Sequence, residues 1–556
     1  MTRVAPAFVM AACVAAMALV GCGREGGRQS GPQAEAHADP HAGHDLGKVD
    51  FPVSCTDAAR AEFSRAVALL HHMTYPQARE AFEQAAKTDP RCAMAHWGVA
   101  MTLFQPLWPT RPDAKALQRG WDEVEKAKSL EPPTGRERLF VAAAEAFFLE
   151  PTGKDYWLRI RRWEAAQEKV YAAHPDDPEA MAFYALAHLA TAPSDSLATD
   201  HQAKAAGILL KVYARNPDHP GAMHYMVHAN DAPGREHEAL EITRKYEEVA
   251  PRNPHALHMP THIYTRLGNW DGVIAGNLKA AEAALEVPAG EHGEYVWDEF
   301  PHALEYLVYA CLQEADDERA AASIHRLRST DRLEPTFKTA FHLASTQSRY
   351  ALERRAWDEA AGLVPREPAS LDWDRFAWPE AIVVFARGLG LAHLGRLDEA
   401  RAAGARLETL EATMRGAGEE LFARNIKVLS LGLTAWIAQA EGHRDAAVTR
   451  LREAAELEAS TPKHAVTPGP TLPAYEQLGD LLMEQGRPSE ALPAYERSDA
   501  LNHGRFNGTL GLARASRALG DEARARTFYR QLVAADGTRQ RQEVLKEAEA
   551  CLAGKS

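Results

Sequence analysis

The sequence predicts an all-α fold, a solenoid of about twelve helical hairpins that begins near residue 55 and continues to the end of the chain. Similar stretches recur at a spacing of 34 residues, which is a period of helix–turn–helix repeats. Apolar residues follow helical periodicity, and no segment combines two-residue alternation with enrichment in β-branched residues. Because each unit of such an array packs on its neighbours, a chain of 556 residues does not require several independent cores.

Composition and charge argue against two classes of protein. Hydrophobic residues make up 46% of the chain, which is normal for a folded protein and argues against bulk disorder. The net charge is −14 without any basic cluster, whereas a nucleic-acid-binding protein needs a Lys/Arg stripe to contact phosphates. We therefore expect no nucleic-acid partner.

The N-terminus has the pattern of an export signal. Residues 1–21 contain one Arg, a long apolar stretch and then small residues. The stretch Leu19-Val20-Gly21-Cys22 resembles a bacterial lipobox, which implies acylation of the Cys22 thiol, for example with palmitate; the alternative is a plain cleaved signal. Gly23, where Asp would favour the inner membrane, implies by the same resemblance an outer-membrane protein that faces the periplasm or the surface. No later run approaches the ~20 apolar residues of a spanning helix, so we expect a lipid anchor as the only membrane contact.

The rest of the chain divides by composition into a tether and a solenoid. Residues 22–50 are rich in Gly, Pro, Ser and other small residues, which predicts a flexible lipidated tether. Its histidines either sequester metal weakly or belong to a disordered polar tail; they are His37, His41 and His44. We assign residues 51–370 to an N-terminal solenoid with a histidine-rich groove and 371–556 to a C-terminal solenoid.

Apart from Cys13 and Cys22, the chain has four cysteines. Cys55 precedes the first helix and Cys92 opens the second repeat, so the two occupy equivalent places one repeat apart. In an oxidising compartment they either form a disulfide or remain thiols, and they are the disulfide candidate. Cys311 and Cys551 are predicted to be buried thiols.

Several units match the pattern of the tetratricopeptide repeat. The stretch YPQAREAFEQAAKTDP (75–90) places Ala78, Phe82, Ala85 and Pro90 where that family prefers small, aromatic, small and proline residues. The clearest unit is YEQLGDLLMEQGRPSEALPAYERSDAL, near the end of the chain. The chain thus resembles a tetratricopeptide-repeat protein. This resemblance implies a right-handed superhelix with one concave groove that binds ligands.

Two histidine pairs repeat in register. HPGAMHYMVHAN (219–230) aligns with NPHALHMPTHIY (253–264), so that His224 matches His258 and His228 matches His262. In the resembled family these are repeat positions 5 and 9, which face the groove. Residues four apart share a helix face, so we expect the four imidazoles to converge on one ion. The next unit places Glu305 and Tyr309 on the same positions.

Other polar residues fall on the same predicted groove. Asp231 follows the first histidine pair, and Glu305, Asp231 and Tyr309 are the candidates for acid–base or hydrogen-bonding roles in catalysis. Further groove candidates are His71, His96, His255, His302 and Arg266. His71 and His96 either line the groove mouth or simply pack. Pro260 interrupts a helix between the second pair, and we expect a kink there that widens the site.

The histidine pattern leaves three interpretations open. The first is a transition-metal site made of His224, His228, His258, His262 and Glu305, in which zinc, copper, iron and nickel suit the ligands equally well. The second is a polar groove for an anionic or peptide ligand, and the third is structural hydrogen bonding.

The stretches MHYMVHAND and PHALHMPTHIYTRLGNW contain HYxxH and HALHMP[ST]H motifs and resemble signatures of exported bacterial tetratricopeptide lipoproteins. The resemblance implies fold and export but no reaction. The favoured function is an outer-membrane-anchored scaffold that binds a peptide or protein partner in its groove and holds a metal. The alternative is a metal-dependent enzyme that uses the same His/Glu cluster. The absence of HExxH, GxSxG, phosphate-loop and CxxC motifs favours binding.

Overall fold

The computed structural model describes residues 46–556 except 109, 153–154, 291, 536, 538–539 and 555–556. The proposed signal, Cys22 and most of the tether lie outside the described residues. Within them the chain is all-α apart from one two-stranded hairpin. The predicted fold class, an all-α solenoid, is confirmed.

The helices follow one another with short turns, and their bounds are: α1 (Asp57–His71), α2 (Tyr75–Thr88), α3 (Ala93–Met101), α4 (Ala114–Ser129), α5 (Gly135–Phe148), α6 (Tyr156–Ala173), α7 (Pro178–Ala190), α8 (Ala198–Arg215), α9 (Pro220–Asn230), α10 (Glu236–Val249), α11 (Pro254–His258), α12 (Pro260–Arg266), α13 (Trp270–Leu285), α14 (Glu299–Gln313), α15 (Asp317–Ser329), α16 (Phe337–Glu353), α17 (Trp357–Ala361), α18 (Ala377–His393), α19 (Leu397–Gly416), α20 (Glu420–Ala440), α21 (Arg444–Ala459), α22 (Ala474–Glu484), α23 (Pro488–Leu501), α24 (Phe506–Ala518), α25 (Glu522–Ala534) and α26 (Gln542–Leu552). A 3-10 turn spans Trp373–Arg375.

Helix packing has the pattern of a repeat array. Each helix packs on the next one in sequence, and alternate helices such as α1 and α3, or α7 and α9, also touch. A continuous hydrophobic core runs along the array from Leu46 to Ala515. Each hairpin buries its apolar face against the next, which is how a chain of this length is stabilised without separate cores.

Small residues allow the two helices of a hairpin to pack closely. A Cβ added at Gly479 in α22 would lie 2.6 Å from the Tyr495 ring in α23. Gly98 in α3 stands in the same relation to the Phe82 ring in α2. Gly479 lies where the sequence pattern of the repeat prefers a small residue, and at both glycines an aromatic ring occupies the space that a side chain would need.

Proline divides one helix of the array into two. Helix α11 ends at His258 and α12 begins at Pro260, with the Met259 amide bonded to the His255 carbonyl and the His262 amide bonded to the Met259 carbonyl. The predicted interruption at Pro260 is present. Because of this break, His258 and His262 lie on different helical segments. The rings of both residues belong to the site described below.

The loop between α13 and α14 contains a feature that the sequence did not predict. Strand β1 (Pro288–Ala289) pairs antiparallel with β2 (Tyr295–Val296). Two-residue strands are too short to produce a pattern of alternating side chains, and this explains why the sequence contains no signal for them.

A disulfide closes the N-terminal end of the array. Cys55 and Cys92 are bonded, with their Cα atoms 4.9 Å apart, and they join the segment before α1 to the start of α3. Cys311 and Cys551 are free and buried, as expected.

One described helix, α20, is long and apolar enough to cross a membrane by length and composition. It packs between α18, α19 and α21, and 72% of its apolar window is buried inside the fold. This is the placement of a core helix.

Replacing Gly479 with Ala should destabilise the fold, because the new methyl group would displace the Tyr495 ring from its contact with α22. We expect a loss of about 1–3 kcal/mol in the free energy of unfolding, measured by urea denaturation. Gly207 is the matched control, because it is exposed on α8 and nothing lies within 4 Å of its added Cβ. Gly207→Ala should leave stability unchanged or raise it by up to about 1 kcal/mol. Equal effects of the two changes would contradict the packing argument.

Candidate metal centre

Six buried histidines come together where three successive hairpins meet. They form two sets in which the ligand nitrogens lie within 4.8 Å of one another. Triad 1 is His224 and His228 from α9 with His255 from α11. Triad 2 is His258 from α11, His262 from α12 and His302 from α14. The sequence predicted one ion shared by His224, His228, His258 and His262, whereas the structure divides these four residues between the two triads.

The two triads are built in the same way. Each takes two histidines four residues apart, from α9 in triad 1 and from the two halves of the broken helix, α11 and α12, in triad 2, and a third from the first turn of the corresponding helix in the next repeat. His255 and His302 therefore play equivalent parts, as their equal repeat positions suggest. The sequence identified both only as groove residues, because their distance from the HxxxH pair is set by packing between repeats.

In triad 2, the Nε2 atoms of His258 and His262 lie 3.0 Å apart. The Nδ1 of His258 lies 2.7 Å from Oδ1 of Asn277. The Asn277 amide nitrogen donates to the Val273 carbonyl at 2.8 Å, so its oxygen faces the ring. An amide oxygen can only accept, and His258 therefore carries its proton on Nδ1. The Nε2 of a neutral His258 then presents a bare lone pair to His262.

His262 also carries its proton on Nδ1. Its Nδ1 donates to Oδ2 of Asp231 at 2.7 Å. Asp231 is also bound by Arg266 at 2.9 Å and by Lys463 at 2.6 Å. Although burial opposes ionisation, these two cations and the His262 hydrogen bond hold the pKa of Asp231 far below its ordinary value. The carboxylate can only accept, so the Nε2 of His262 also carries a lone pair.

The third member of triad 2 is held by a chain of hydrogen bonds. Glu305 accepts from Nδ1 of His342. His342 Nε2 then accepts from Nδ1 of His302 at 3.1 Å. Nε2 of His302 is left buried with no hydrogen-bond partner among the described residues. All three distal nitrogens of triad 2 thus have free lone pairs.

Triad 1 repeats this pattern at two of its three histidines. Nδ1 of His224 donates to the backbone carbonyl of His71 at 2.6 Å, and Nδ1 of His255 donates to Glu299 at 3.0 Å. Their Nε2 atoms lie 3.0 Å apart, and Nε2 of His228 lies 3.1 Å from that of His224. Burial opposes ionisation of Glu299, but the charge of Lys338 holds the pKa of this carboxyl well below its ordinary range.

Lone pairs that face each other at this distance repel unless a cation lies between them. A proton could serve, but burial and the neighbouring imidazoles lower the pKa of His258 and His302 well below the ordinary range, and burial lowers that of His262 to about 4. A metal ion bound at about 2.0–2.1 Å would separate two nitrogen ligands by about 3.3 Å in a tetrahedral site, close to the spacing observed. A proximal nitrogen held by a carboxylate, amide or carbonyl is also the usual support of a metal-binding histidine.

A third histidine set differs in this respect. His71 and His219 both donate from Nε2 to Glu179, at 2.8 and 3.2 Å. Their Nδ1 atoms accept, from the Tyr225 hydroxyl at 3.0 Å and from the Ala222 amide at 3.1 Å. In this set each ring nitrogen that carries a proton has an acceptor, and each ring nitrogen with a lone pair has a donor. The set is complete as a structural hydrogen-bond network, and the lone-pair argument does not apply to it.

Two long connections cover the triads. Trp108, in the loop between α3 and α4, places its ring edge against His255 and His302, with centroid distances of 5.7 and 5.6 Å. The loop between α21 and α22 contributes Lys463 to Asp231 and the carbonyl of Thr467 to the Tyr306 hydroxyl at 3.0 Å. Both connections are longer than a tight turn, and both lie over the site.

A cavity reaches the centre from outside. It is bordered by both covering loops and by one triad member, and its lining includes Trp108, His228, Phe422, Lys463 and His464. His228 is 8% exposed, more than any other histidine of the triads. Among the described residues the triads are therefore buried rather than displayed on a surface, and this cavity reaches them at His228.

The three candidate catalytic residues are placed differently from the expected site. Glu305 lies beyond His342, where it also accepts from Ser345 at 2.6 Å, and it joins neither triad. Asp231 orients His262. The Tyr309 hydroxyl accepts from Arg505 at 3.0 Å, and it is Tyr306 that contacts His262, at 3.2 Å. One helical turn of α14 thus separates the predicted tyrosine from the one in contact.

The remaining predicted groove residues divide between supporting the site and packing. Arg266 holds Asp231, and His71 belongs to the Glu179 network. His96 is half-buried and pairs with Glu123 at 2.7 Å, away from the triads. No sequence pattern pointed to Asn277, Glu299 or His342, because each contacts its histidine only through packing.

The comparison with known families supports the repeat near the C-terminal end of the array. The tetratricopeptide repeat family matches residues 472–502, which contain α22 and α23. Among solved structures, a human IFIT1 dimer with m7Gppp-AAAA is 14% identical over 87% of this chain and 91% of that chain, with a TM-score of 0.36. Yeast Tom70 is 12% identical over 89% and 96%, with a TM-score of 0.29. The APC/C hetero-tetramer Cut9-Hcn1 is 14% identical over 88% and 90%, with a TM-score of 0.32. No curated protein matches the chain.

The contrast between the histidine sets can be tested at Glu179. Glu179→Ala would leave the Nε2 protons of His71 and His219 without acceptors, and we expect a loss of about 2–5 kcal/mol in the free energy of unfolding. The loss should be equal in chelator and in added zinc, because Glu179 would act through hydrogen bonds alone. Urea denaturation under both conditions measures it. A loss that appears only with metal would show that this set binds an ion.

Proposed function

We propose that this tetratricopeptide-repeat solenoid is a transition-metal-binding scaffold of the bacterial envelope. The observation that carries the proposal is the pair of imidazole nitrogens in each triad, 3.0 Å apart, whose opposite nitrogens donate to fixed acceptors. Such an arrangement is stable when a cation lies between the rings. Imidazole ligands suit zinc, copper, iron and nickel.

The histidine geometry favours binding over the reaction that Glu305, Asp231 and Tyr309 would catalyse. All three side chains already form buried hydrogen bonds with other side chains of the protein: Glu305 with His342, Asp231 with His262 and Tyr309 with Arg505. A general base must be within reach of the proton it removes. The enzyme alternative therefore loses its acid–base candidates, although three nitrogen ligands leave a metal with an open position.

The scaffold part of the proposal rests on the C-terminal hairpins. A second cavity lies there, and its lining includes Trp357, His393, Trp436, Asp480 and Tyr495. Aromatic residues and arginine are enriched at protein interfaces, and Arg355 and Arg514 also line this cavity. We propose this cavity as the place for a peptide or protein partner. The absence of a nucleic-acid partner stays a prediction.

Metal content is the direct test of the triads. Tag-free protein should contain at least one equivalent of a transition metal by elemental analysis, and added metal should raise the thermal midpoint of the apoprotein. His258→Ala and His224→Ala should each reduce metal content severalfold, because each removes a ligand from one triad. His96→Ala is the matched control and should retain the metal of the parent, since His96 lies outside both triads. A metal-free parent whose stability ignores zinc, copper, iron and nickel would overturn the proposal.

The proposed attachment to the membrane depends on acylation of Cys22. If residues 1–21 are instead a plain cleaved signal, the protein carries no lipid. In a bacterial host, Cys22→Ala should abolish labelling by a palmitate analogue and release the protein from the membrane fraction. Cys13→Ala is the control, because Cys13 lies inside the proposed signal and should not affect labelling. If Cys22→Ala protein is still labelled, or if the parent is never labelled, the lipid anchor is wrong.

A further inference from the structure

We infer that the two triads hold two ions as one dinuclear centre, which binds a small anion through the cavity at His228. This inference rests on the proposed metal binding and goes beyond it, because separate ions in separate sites would satisfy the proposed function equally well. Three features point to it: the spacing of the rings, the charge around them and the route from solvent.

The six rings form one continuous cluster. Between triads, the ring centroids of His228 and His262 are 5.8 Å apart, and those of His255 and His258 are 6.1 Å apart. Within triad 2, the centroids of His262 and His302 are 6.3 Å apart. Its other rings are closer, with centroids 4.3 Å apart at His258 and His302 and 4.9 Å apart at His258 and His262. Rings of different triads are thus farther apart than most rings of one triad, but they still adjoin each other, so the two ions would be neighbours.

The two sets of ligands are also mechanically joined. His255 of triad 1 and His258 of triad 2 lie three residues apart on the short helix α11. One turn of backbone therefore positions a ligand of each ion. Because Pro260 begins a new helix directly after this turn, His262 can turn towards His258 without changing the position of His255.

The charge balance calls for an anion. The six ligands are imidazoles, and no carboxylate belongs to either triad. The buried carboxylates behind them are already paired with cations: Asp231 with Arg266 and Lys463, Glu299 with Lys338, and Glu305 with Arg349. The charge of two divalent ions would therefore be left unbalanced in a buried site, which is costly. A hydroxide or another small anion shared by both ions would offset part of it.

Each ion has room for such a ligand. Three protein nitrogens leave at least one position open on a four-coordinate ion, and metals that share a substrate or water in two-metal sites lie about 3.5–4 Å apart. The cavity that ends at His228 gives the route, and Lys463 and His464 border it. Because Trp108 and the α21–α22 loop cover the rest of the cluster, a small ion has access and a large molecule does not.

Copper titration of the full-length apoprotein tests the inference. We expect two equivalents of Cu(II) to bind, and the doubly loaded protein should show an EPR spin well below that of two isolated Cu(II) ions, because a shared ligand couples the pair. Azide, a small anionic probe, should then add a new charge-transfer absorption band. Two equivalents with the full spin of isolated ions, or a maximum of one equivalent, would overturn the dinuclear centre. No binding at all would overturn the proposed function itself.

Variants of the third ligand separate the two ions. His255→Ala should weaken binding at triad 1 at least tenfold, and His302→Ala should do so at triad 2, so that each variant binds one tight equivalent with the full EPR spin of one isolated Cu(II). His96→Ala should behave as the parent. His228→Ala, at the open edge of the cluster, provides a second triad 1 variant should His255→Ala fail to fold, which circular dichroism would reveal. A coupled pair that persists in both triad variants would overturn the assignment of ligands.

Discussion

The interaction on which the site depends is the hydrogen bond from Nδ1 of each supported histidine to an acceptor that cannot donate. Asn277, Asp231 and the His71 carbonyl each take one such proton, and Glu299 takes another. Once these protons are placed, the position of the lone pair on the opposite nitrogen is determined. The acceptors come from helices other than those that carry the histidines they hold, so the site exists only when the hairpins are packed together.

The acceptors are themselves fixed by further partners, and this couples distant parts of the chain. Lys463 reaches Asp231 from the loop before α22, and Arg349 in α16 binds the carbonyls of Gly469 and Pro470 in the same loop. Tyr306 contacts both His262 and Thr467. Buried polar groups are costly unless all are satisfied. The loop between α21 and α22 therefore stabilises the centre as well as covering it.

Repetition explains why there are two triads of the same design. A solenoid places equivalent positions of successive hairpins side by side, so a histidine pair on one helix meets the first turn of the corresponding helix in the next unit. Pairs at His224/His228 and His258/His262 thus each acquire a third ligand. The next unit carries Glu305 and Tyr309 at the paired positions, and the series of triads stops there.

Features that depend on a pattern along the chain could be predicted from the sequence. The 34-residue period, the helical periodicity, the break at Pro260 and the register of the histidine pairs were all readable from neighbouring residues. The tertiary structure alone decided which nitrogens meet, the division of four histidines between two triads, the inclusion of His255 and His302, and the placement of Glu305 behind His342. The hydrogen-bond partners of each histidine lie on other helices or in loops. Their distance depends on how the hairpins pack, and the spacing of residues along one helix contains no information about that.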